Sequence, residues 1–172
     1  AQTPPDFIYR TENTLIVNYA GKVLETPGNN LSVSDTLAQP TIGLQQNKVT
    51  GPFVFVMVDP SLNDNSGATD ALHMVQTDLY LVPAPTTVDG VTFYQLTASC
   101  DPLAAYLTPN PLIGTEIHYF TQLLFEQPSN LEIPAKYAWY WADTVLNRVN
   151  FPLQEFVDDV GFGEPVAANY FL

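Results

Sequence analysis

Short hydrophobic runs alternate along the chain with turns rich in proline, glycine and asparagine. Residues 13–22 (NTLIVNYAGK) alternate between apolar and polar side chains before a glycine turn, which predicts a strand with one buried face. Residues 53–59 (FVFVMVD) form a continuous apolar run that ends at a proline, which is typical of a strand covered on both faces. Residues 72–82 (LHMVQTDLYLV) and 91–98 (VTFYQLTA) predict two further strands. We therefore expect a mostly antiparallel β protein.

A small helical complement is predicted near the C-terminus. Four apolar residues of the segment 151–163 (FPLQEFVDDVGFG) follow the helical spacing i, i+3, i+4 and i+7: Leu153, Phe156, Val157 and Val160. Pro152 lies near the start of this pattern and Gly161 just after its end, as expected for a short amphipathic helix packed on the sheet. Residues 135–150 (AKYAWYWADTVLNRVN) can hold another short helix, but their periodicity is ambiguous. Their dense aromatic patch favours core or interface contacts.

The segment 114–128 (GTEIHYFTQLLFEQP) predicts one more buried strand, which is interrupted by His118. The second histidine, His73, also interrupts an apolar run, and the sequence contains only these two. No lysine or arginine occurs between Lys48 and Lys136, so the two imidazoles are the only side-chain cations available in that half of the chain. An anion bound there would depend on imidazole, backbone N–H groups and hydroxyls.

Length and composition predict one globular domain, residues 1–172, because hydrophobic residues make up 46% of the chain and charged residues only 13%. No apolar run approaches the roughly 20 residues that span a bilayer. The formal net charge of −13 argues against nucleic acid as a partner and against docking to anionic membrane surfaces.

Three features bear on the compartment. The sequence begins Ala-Gln-Thr-Pro-Pro, without a basic leader, and we expect a secreted or secretory-pathway protein whose signal peptide has been removed. One N-glycosylation sequon at Asn30 agrees with secretion, although three residues are a weak match. The single cysteine, Cys100, excludes an intramolecular disulfide and is interpreted as a small buried hydrophobic residue rather than a nucleophile.

Candidate chemistry gathers on Asp59, His73 and His118. Asp59 ends a predicted buried strand, and each histidine lies near the start of another, so the three meet if these strand ends share one rim. Such a set can orient a tautomer, hold an anion or transfer protons near neutral pH. From the residues alone, two hydrogen-bonded core histidines explain the pattern equally well.

Metal binding is the other use of these groups, since two histidines and a carboxylate can hold iron or zinc. No HxH, HxD or HxxxH spacing supports it. Residues 63–70 (NDNSGATD) lack the register of a calcium loop, and a solvated turn is favoured there. No nucleophile elbow or phosphate-binding loop is found, so we expect neither metal nor cofactor.

Four ordered segments resemble the phosphatidylethanolamine-binding protein family: FVFVMVDPSLND, LHMVQTDLYLV, GTEIHYFTQLLFEQP and EFVDDVGFGEPVAANYFL. The match covers roughly residues 50 to 172 and suggests a secreted fungal branch. It implies a mainly β fold, in which a large antiparallel sheet packs on a smaller one with short peripheral helices near the C-terminus. It also implies a small anion-binding pocket, whose positions here are Asp59, Pro60, His73, Gly114 and His118.

The departures from the family pattern change the expected ligand. The second Asp and closing Pro of the first signature are Ser61 and Asn63, and the tryptophan expected before the pocket histidine is Ala71. The Arg-Tyr expected after His118 is Tyr119-Phe120, and we expect both residues to contact ligand. A pocket without that arginine suits a carboxylate, an anhydride or an enolate better than a dianionic phosphate.

Three functions follow from the resemblance. The first is acid–base catalysis of carbon–carbon bond formation on a small anionic or electrophilic metabolite in fungal secondary metabolism, such as the dimerisation of maleic anhydride units into maleidrides. The second is binding of phosphate, lipid head groups or small anions without turnover. The third is inhibition of a protease or kinase through the protein surface. A small molecule is the expected partner in the first two, and the sequence does not specify a partner enzyme.

Overall fold

The computed structural model describes residues 1–62, 70–110 and 117–172, and these contain nine β-strands. The strands are β1 (Ile16–Tyr19), β2 (Lys22–Leu24), β3 (Thr41–Leu44), β4 (Phe53–Asp59), β5 (Ala71–Leu81), β6 (Thr86–Val88), β7 (Val91–Ala98), β8 (Phe120–Glu126) and β9 (Ala167–Phe171). Antiparallel pairing links them in the order β2-β1-β3-β7-β5-β4-β8-β9, with β6 also paired to β7. The mostly antiparallel β prediction is confirmed.

The strands form two packed layers that are joined at β7, which pairs with β3 on one side and with β5 on the other. Apolar residues of β1, β2 and β3 pack against one face of β4, β5, β8 and β9 in a cluster that includes Val17, Ile42, Phe55 and Phe171. The opposite face of the larger layer carries a second cluster, which the C-terminal helices cover. This is the expected arrangement of a large sheet on a smaller one, with β7 joining the two.

Strand β4 lies at the centre and is buried along its whole length, as its continuous apolar run predicts. Val54, Val56 and Val58 face the helices, while Phe53, Phe55 and Met57 face the smaller sheet. The strand ends at Asp59, where Pro60 begins a short 3₁₀ turn, Pro60–Leu62. A carboxylate is thereby placed at the end of a fully covered strand.

The C-terminal helices are short. They comprise the 3₁₀ segment Ala135–Trp141, α1 (Val145–Arg148) and α2 (Leu153–Val160), and an earlier 3₁₀ turn spans Val33–Thr36. The predicted amphipathic helix is confirmed, since the four apolar positions of α2 are all buried. It stops at Gly161, whose φ of 79° lies in the left-handed region and whose N–H donates to the carbonyls of Val157 and Asp158.

Three local expectations change. Strand β8 begins at Phe120, so His118 precedes the strand, and Ile117 is 63% exposed instead of buried. Cys100 is exposed instead of buried, because it lies beyond the end of β7. In the aromatic segment Tyr137 is buried in the core, whereas Trp139 is 60% exposed. None of the helices among the described residues could cross a membrane.

Candidate functional site

Asp59 provides the central charge of the site and is almost completely buried. Its Oδ2 lies 2.5 Å from Nδ1 of His118, and its Oδ1 accepts a hydrogen bond from the Ser61 N–H at 2.9 Å. A buried carboxylate needs such donors because an unpaired one is very costly. The turn that starts at Pro60 supplies one of them, since it brings the Ser61 N–H back to the carboxylate.

His118 reaches Asp59 from the segment that leads into β8. The neighbouring Tyr119 N–H donates to the Ser61 hydroxyl at 2.8 Å. Ser61 therefore contacts Asp59 through its backbone N–H and Tyr119 through its side chain. Because a carboxylate only accepts hydrogen bonds, neutral His118 carries its proton on Nδ1, and its basic nitrogen is Nε2.

His73 is placed by a β-bulge. Met57 pairs with Met74 and Val58 pairs with Leu72, so His73 is the additional residue on β5. The bulge puts Leu72 and Met74 on opposite faces of the sheet, although residues two apart in a regular strand share a face. A bulge re-aims one side chain, and here that side chain is an imidazole.

Leu107 fixes the orientation of the His73 ring. Its carbonyl oxygen lies 2.7 Å from His73 Nδ1, and its N–H donates to the His73 carbonyl at 2.8 Å. Because a carbonyl only accepts, neutral His73 also carries its proton on Nδ1, leaving Nε2 as the basic nitrogen. The fold therefore gives both imidazoles the same tautomer.

Phe120 contacts both imidazole rings. The His73 ring meets it edge to face at 5.3 Å between centroids, and the His118 ring is stacked on it at 5.9 Å with an interplanar angle of 12°. Behind it, Phe171 stacks at 5.2 Å. The site thus combines one carboxylate and two imidazoles with an apolar wall. Electrostatic interactions between these groups are stronger beside the wall than they are in water.

Burial lowers the pKa of His73 and is the largest influence on it. The hydrogen bond to Leu107 and the negative charge of Asp59 oppose this shift, whereas the positive charges of Arg148 and His118 lower the pKa further. His73 is therefore held in its neutral, basic form at pH values where a solvated imidazole begins to protonate.

The family model of the phosphatidylethanolamine-binding protein matches residues 12–171. The chain belongs to this family. It is 30% identical to phomoidride biosynthesis cluster protein N of Talaromyces stipitatus, over all of this chain and 89% of that protein. A protein of the same name from a fungal species is 29% identical over 77% of this chain and 58% of its own length. Carboxypeptidase Y inhibitor, solved with its cognate proteinase, superposes with a TM-score of 0.69 at 21% identity, covering 96% of this chain and 87% of that one.

The structure brings together Asp59, His73, His118 and Phe120, four of the residues expected in the pocket of a phosphatidylethanolamine-binding protein. The other expected residues are placed less directly. Pro60 is buried in the turn after Asp59, Tyr119 contributes its N–H while its ring contacts Tyr170, and Gly114 lies outside the described residues. Within the described ranges, no three His, Cys, Asp or Glu residues are arranged to hold a metal.

Sequence reasoning missed two contributors. Ser61 is counted only as the loss of an aspartate, but it hydrogen-bonds both Asp59 and Tyr119. Arg148 lies outside the cation-free interval, yet it is close enough to lower the pKa of His73. The available signal was one arginine inside an aromatic segment for which core or interface contacts are predicted.

Proposed function

We propose that this protein acts in fungal secondary metabolism and performs acid–base chemistry on a small anionic or electrophilic metabolite. Support comes from relatives named as phomoidride biosynthesis cluster proteins, one of which matches the whole chain. The observation that carries the chemistry is the 2.5 Å contact between His118 Nδ1 and Asp59 Oδ2 beside the buried, neutral His73. A carboxylate that orients an imidazole is a recurrent general-base arrangement.

The reaction proposed is the coupling of two maleic anhydride units. An imidazole Nε2 removes an acidic proton from the carbon next to one anhydride ring, and the electron pair moves onto the ring carbonyl as a dienolate. The dienolate carbon adds to an unsaturated carbon of the second anhydride, which forms one carbon–carbon bond and a new enolate. The imidazolium returns its proton to that enolate. The addition is redox-neutral and needs no co-reactant.

Asp59 and His118 form the oriented pair in this scheme, and His73 is the second proton carrier. Both rings contact the buried Phe120 side chain, so the two imidazoles lie against one apolar residue and are proposed to act on the same substrate. The apolar wall excludes water from the developing enolate and strengthens its interaction with nearby donors.

Tight phosphate binding is the less favoured role. The position after His118 carries Tyr119 instead of arginine, and the buried guanidinium of Arg148 contacts backbone carbonyls and Asp143. A dianionic phosphate is held best by the fork of an arginine that faces it. An anhydride, which is uncharged until it is deprotonated, does not need that arginine.

The deciding experiment incubates the protein with a panel of alkyl-substituted maleic anhydrides and follows products by mass spectrometry. We expect a product with twice the monomer mass, and a loss of about 10²- to 10⁴-fold in rate for His118→Ala and His73→Ala. Thr87→Ala, on strand β6, is the control because its hydroxyl contacts only Thr92 among the described residues. If an anhydride binds but is not consumed, the result would contradict catalysis and would support simple anion binding.

We also propose that the protein resides in the secretory pathway. Asn30 of the sequon is exposed, and the Ser32 hydroxyl contacts Asp35 at 2.7 Å in the following turn. Expression behind a secretory leader should give a species that an endoglycosidase reduces in mass, with Asn30→Gln as the control. Retention of the chain inside the cell without glycan would contradict this location.

A further inference from the structure

Arg148 is one of two arginines in the chain and is 1% exposed, although it lies at the end of the four-residue helix α1. Its ion-pair partner, Asp143, is 77% exposed and lies 3.1 Å from Nη2. Among the described residues Asp143 is the one ion-pair partner of Arg148, and burying a guanidinium beside an exposed counter-charge is costly unless its N–H groups are satisfied in another way. The remaining contacts of Arg148 therefore indicate why it is buried.

Those contacts are backbone carbonyls that surround His73. Nη1 lies 3.4 Å from the carbonyl oxygens of both Leu72 and His73, and Nη2 donates to Ala105 at 2.9 Å. Nε donates to Ala142 at 2.8 Å, which ties the guanidinium to its own segment. Arg148 thus links the bulge on β5 to the segment that includes Leu107, the hydrogen-bond acceptor of His73 Nδ1.

The regular backbone pairing between β5 and the segment 104–107 is interrupted at the place where the guanidinium of Arg148 lies. Val75 and Ala104 form the last strand-like bridge between β5 and this segment, and the next backbone contact is from the Leu107 N–H to the His73 carbonyl. The Ala105 carbonyl lies in the interval and accepts from Arg148 Nη2, while the His73 carbonyl accepts from the Leu107 N–H and also lies 3.4 Å from Arg148 Nη1. Buried carbonyls need donors, and the planar fork of arginine reaches several at once.

We propose that Arg148 is the positioning residue for His73: it holds the bulge and the 105–107 segment in one register, and so keeps His73 Nδ1 on Leu107 and Nε2 as the basic nitrogen. The use of Nε2 as a base rests on the proposed function, whereas the positioning of the ring is argued from the geometry alone. A purely structural arginine would affect stability without changing the state of the His73 ring.

Charge supports the same assignment. The groups that act on His73 from the elements around it are Asp59 from β4, His118 from the segment that precedes β8 and Arg148 from α1. Arg148 lowers the pKa of His73, so its charge helps to keep the ring neutral. Asp143 in turn opposes the effect of burial on the pKa of Arg148, which keeps the guanidinium charged.

Nitrogen-15 NMR of the histidine rings tests the assignment without any substrate, so it gives an answer even if anhydrides are not turned over. The wild type should show His73 as the Nδ1–H tautomer. Arg148→Lys keeps the charge but loses the fork, and we expect the tautomer ratio to fall by about fivefold or more, the effect of losing one typical hydrogen bond. Arg148→Met should in addition raise the pKa of His73, because the positive charge is gone.

Leu153→Ala is the matched control, because Leu153 is a buried residue of α2 outside the contacts of Arg148. It should lower the urea midpoint while leaving the tautomer ratio of His73 unchanged. Arg148→Lys with an unchanged ratio and a similarly lowered midpoint would overturn the proposal. If neither Arg148 variant folds, Asp143→Asn decides, because Asp143 is exposed: a smaller fall in the ratio supports positioning, and no change overturns it.

Discussion

His73 and Leu107 are joined by two hydrogen bonds that run in opposite directions, one from the Leu107 N–H to the His73 carbonyl and one between His73 Nδ1 and the Leu107 carbonyl. The first bond fixes the backbone of the bulge, and the second fixes the ring. A histidine in a regular strand would have its N–H and carbonyl paired to neighbouring strands, and its ring would follow the local pleat. The bulge frees the His73 ring from the orientation of the regular pleat, and the two hydrogen bonds to Leu107 set its orientation instead.

The first prediction concerns acid stability. Because the pKa of His73 is lowered in the folded protein, the unfolded chain binds a proton below about pH 6.5 that the folded chain does not. The free energy of unfolding should therefore fall on acidification below that pH, by up to about 1.4 kcal/mol per pH unit from this group. Urea titrations at pH 7.5, 6.5 and 5.5 measure the slope.

His73→Asn is the comparison for that slope, because the amide nitrogen of asparagine can still donate to the Leu107 carbonyl. The variant lacks the titrating group, so its unfolding free energy should depend less on pH than that of the wild type. Parallel pH dependences for the two proteins would mean that His73 protonates as easily when folded as when unfolded.

The second prediction concerns Asp59→Asn. Both carboxylate oxygens accept hydrogen bonds, one from Ser61 and one from His118, but an asparagine has only one acceptor oxygen. The NH₂ group of the asparagine would then point at one of the two donors, the Ser61 N–H or His118 Nδ1–H. Because two donors cannot hydrogen-bond each other, we expect His118 to change tautomer or rotate. Coupling activity should fall by about 10²-fold or more, with little change in substrate binding.

Ring NMR of His118 provides the structural readout for Asp59→Asn, and Asp89→Asn, on the turn between β6 and β7, is the matched control. A variant with full activity and an unchanged His118 tautomer would show that the pair does not act as an oriented base. Loss of folding would be visible as a collapsed amide spectrum and would be separated from loss of activity in that way.

The third prediction concerns Tyr119→Arg, which restores the residue that the family pattern carries after the pocket histidine. We expect affinity for inorganic phosphate to rise by about tenfold or more, because a charge-assisted hydrogen bond to an anion is among the stronger ones in proteins. Calorimetry or phosphorus NMR measures it. Tyr80→Arg is the control. Tyr80 is 43% exposed on β5, so this substitution adds the same positive charge at the surface. Equal gains in both variants would assign the effect to net charge alone.

The fourth prediction concerns the layer of helices behind the larger sheet. Phe156 is completely buried and contacts the rings of Tyr137, Trp141, Phe151 and Phe162. Phe156→Ala should lower the free energy of unfolding by about 3–5 kcal/mol through lost contacts and the cavity left behind. Gln154→Ala, on the exposed side of the same helix, should change it by less than about 0.5 kcal/mol. Urea denaturation distinguishes them, and similar losses would contradict the predicted packing.

Much of the fold could be predicted because its signals are local. The apolar run of β4, the helical spacing of Leu153, Phe156, Val157 and Val160, and the glycine that stops that helix are all readable within a dozen residues. The boundary of β8 was harder to predict. Ile117 and His118 look like strand residues, but the pairing with β9 begins at Phe120, opposite Phe171, and the pairing with β4 begins at Thr121, opposite Val58.

The sequence by itself determined the family, the β class and the identity of the charged groups, Asp59, His73 and His118, because these depend on residue type and order. Only the tertiary structure decided the bulge at His73, the two acceptors beside the imidazoles, and the contacts of Arg148 with the carbonyls of Leu72 and His73. Such features arise where segments distant in sequence must share hydrogen bonds. A bulge is defined by the register of the partner strand, and a tautomer by the acceptor that the fold brings to the ring.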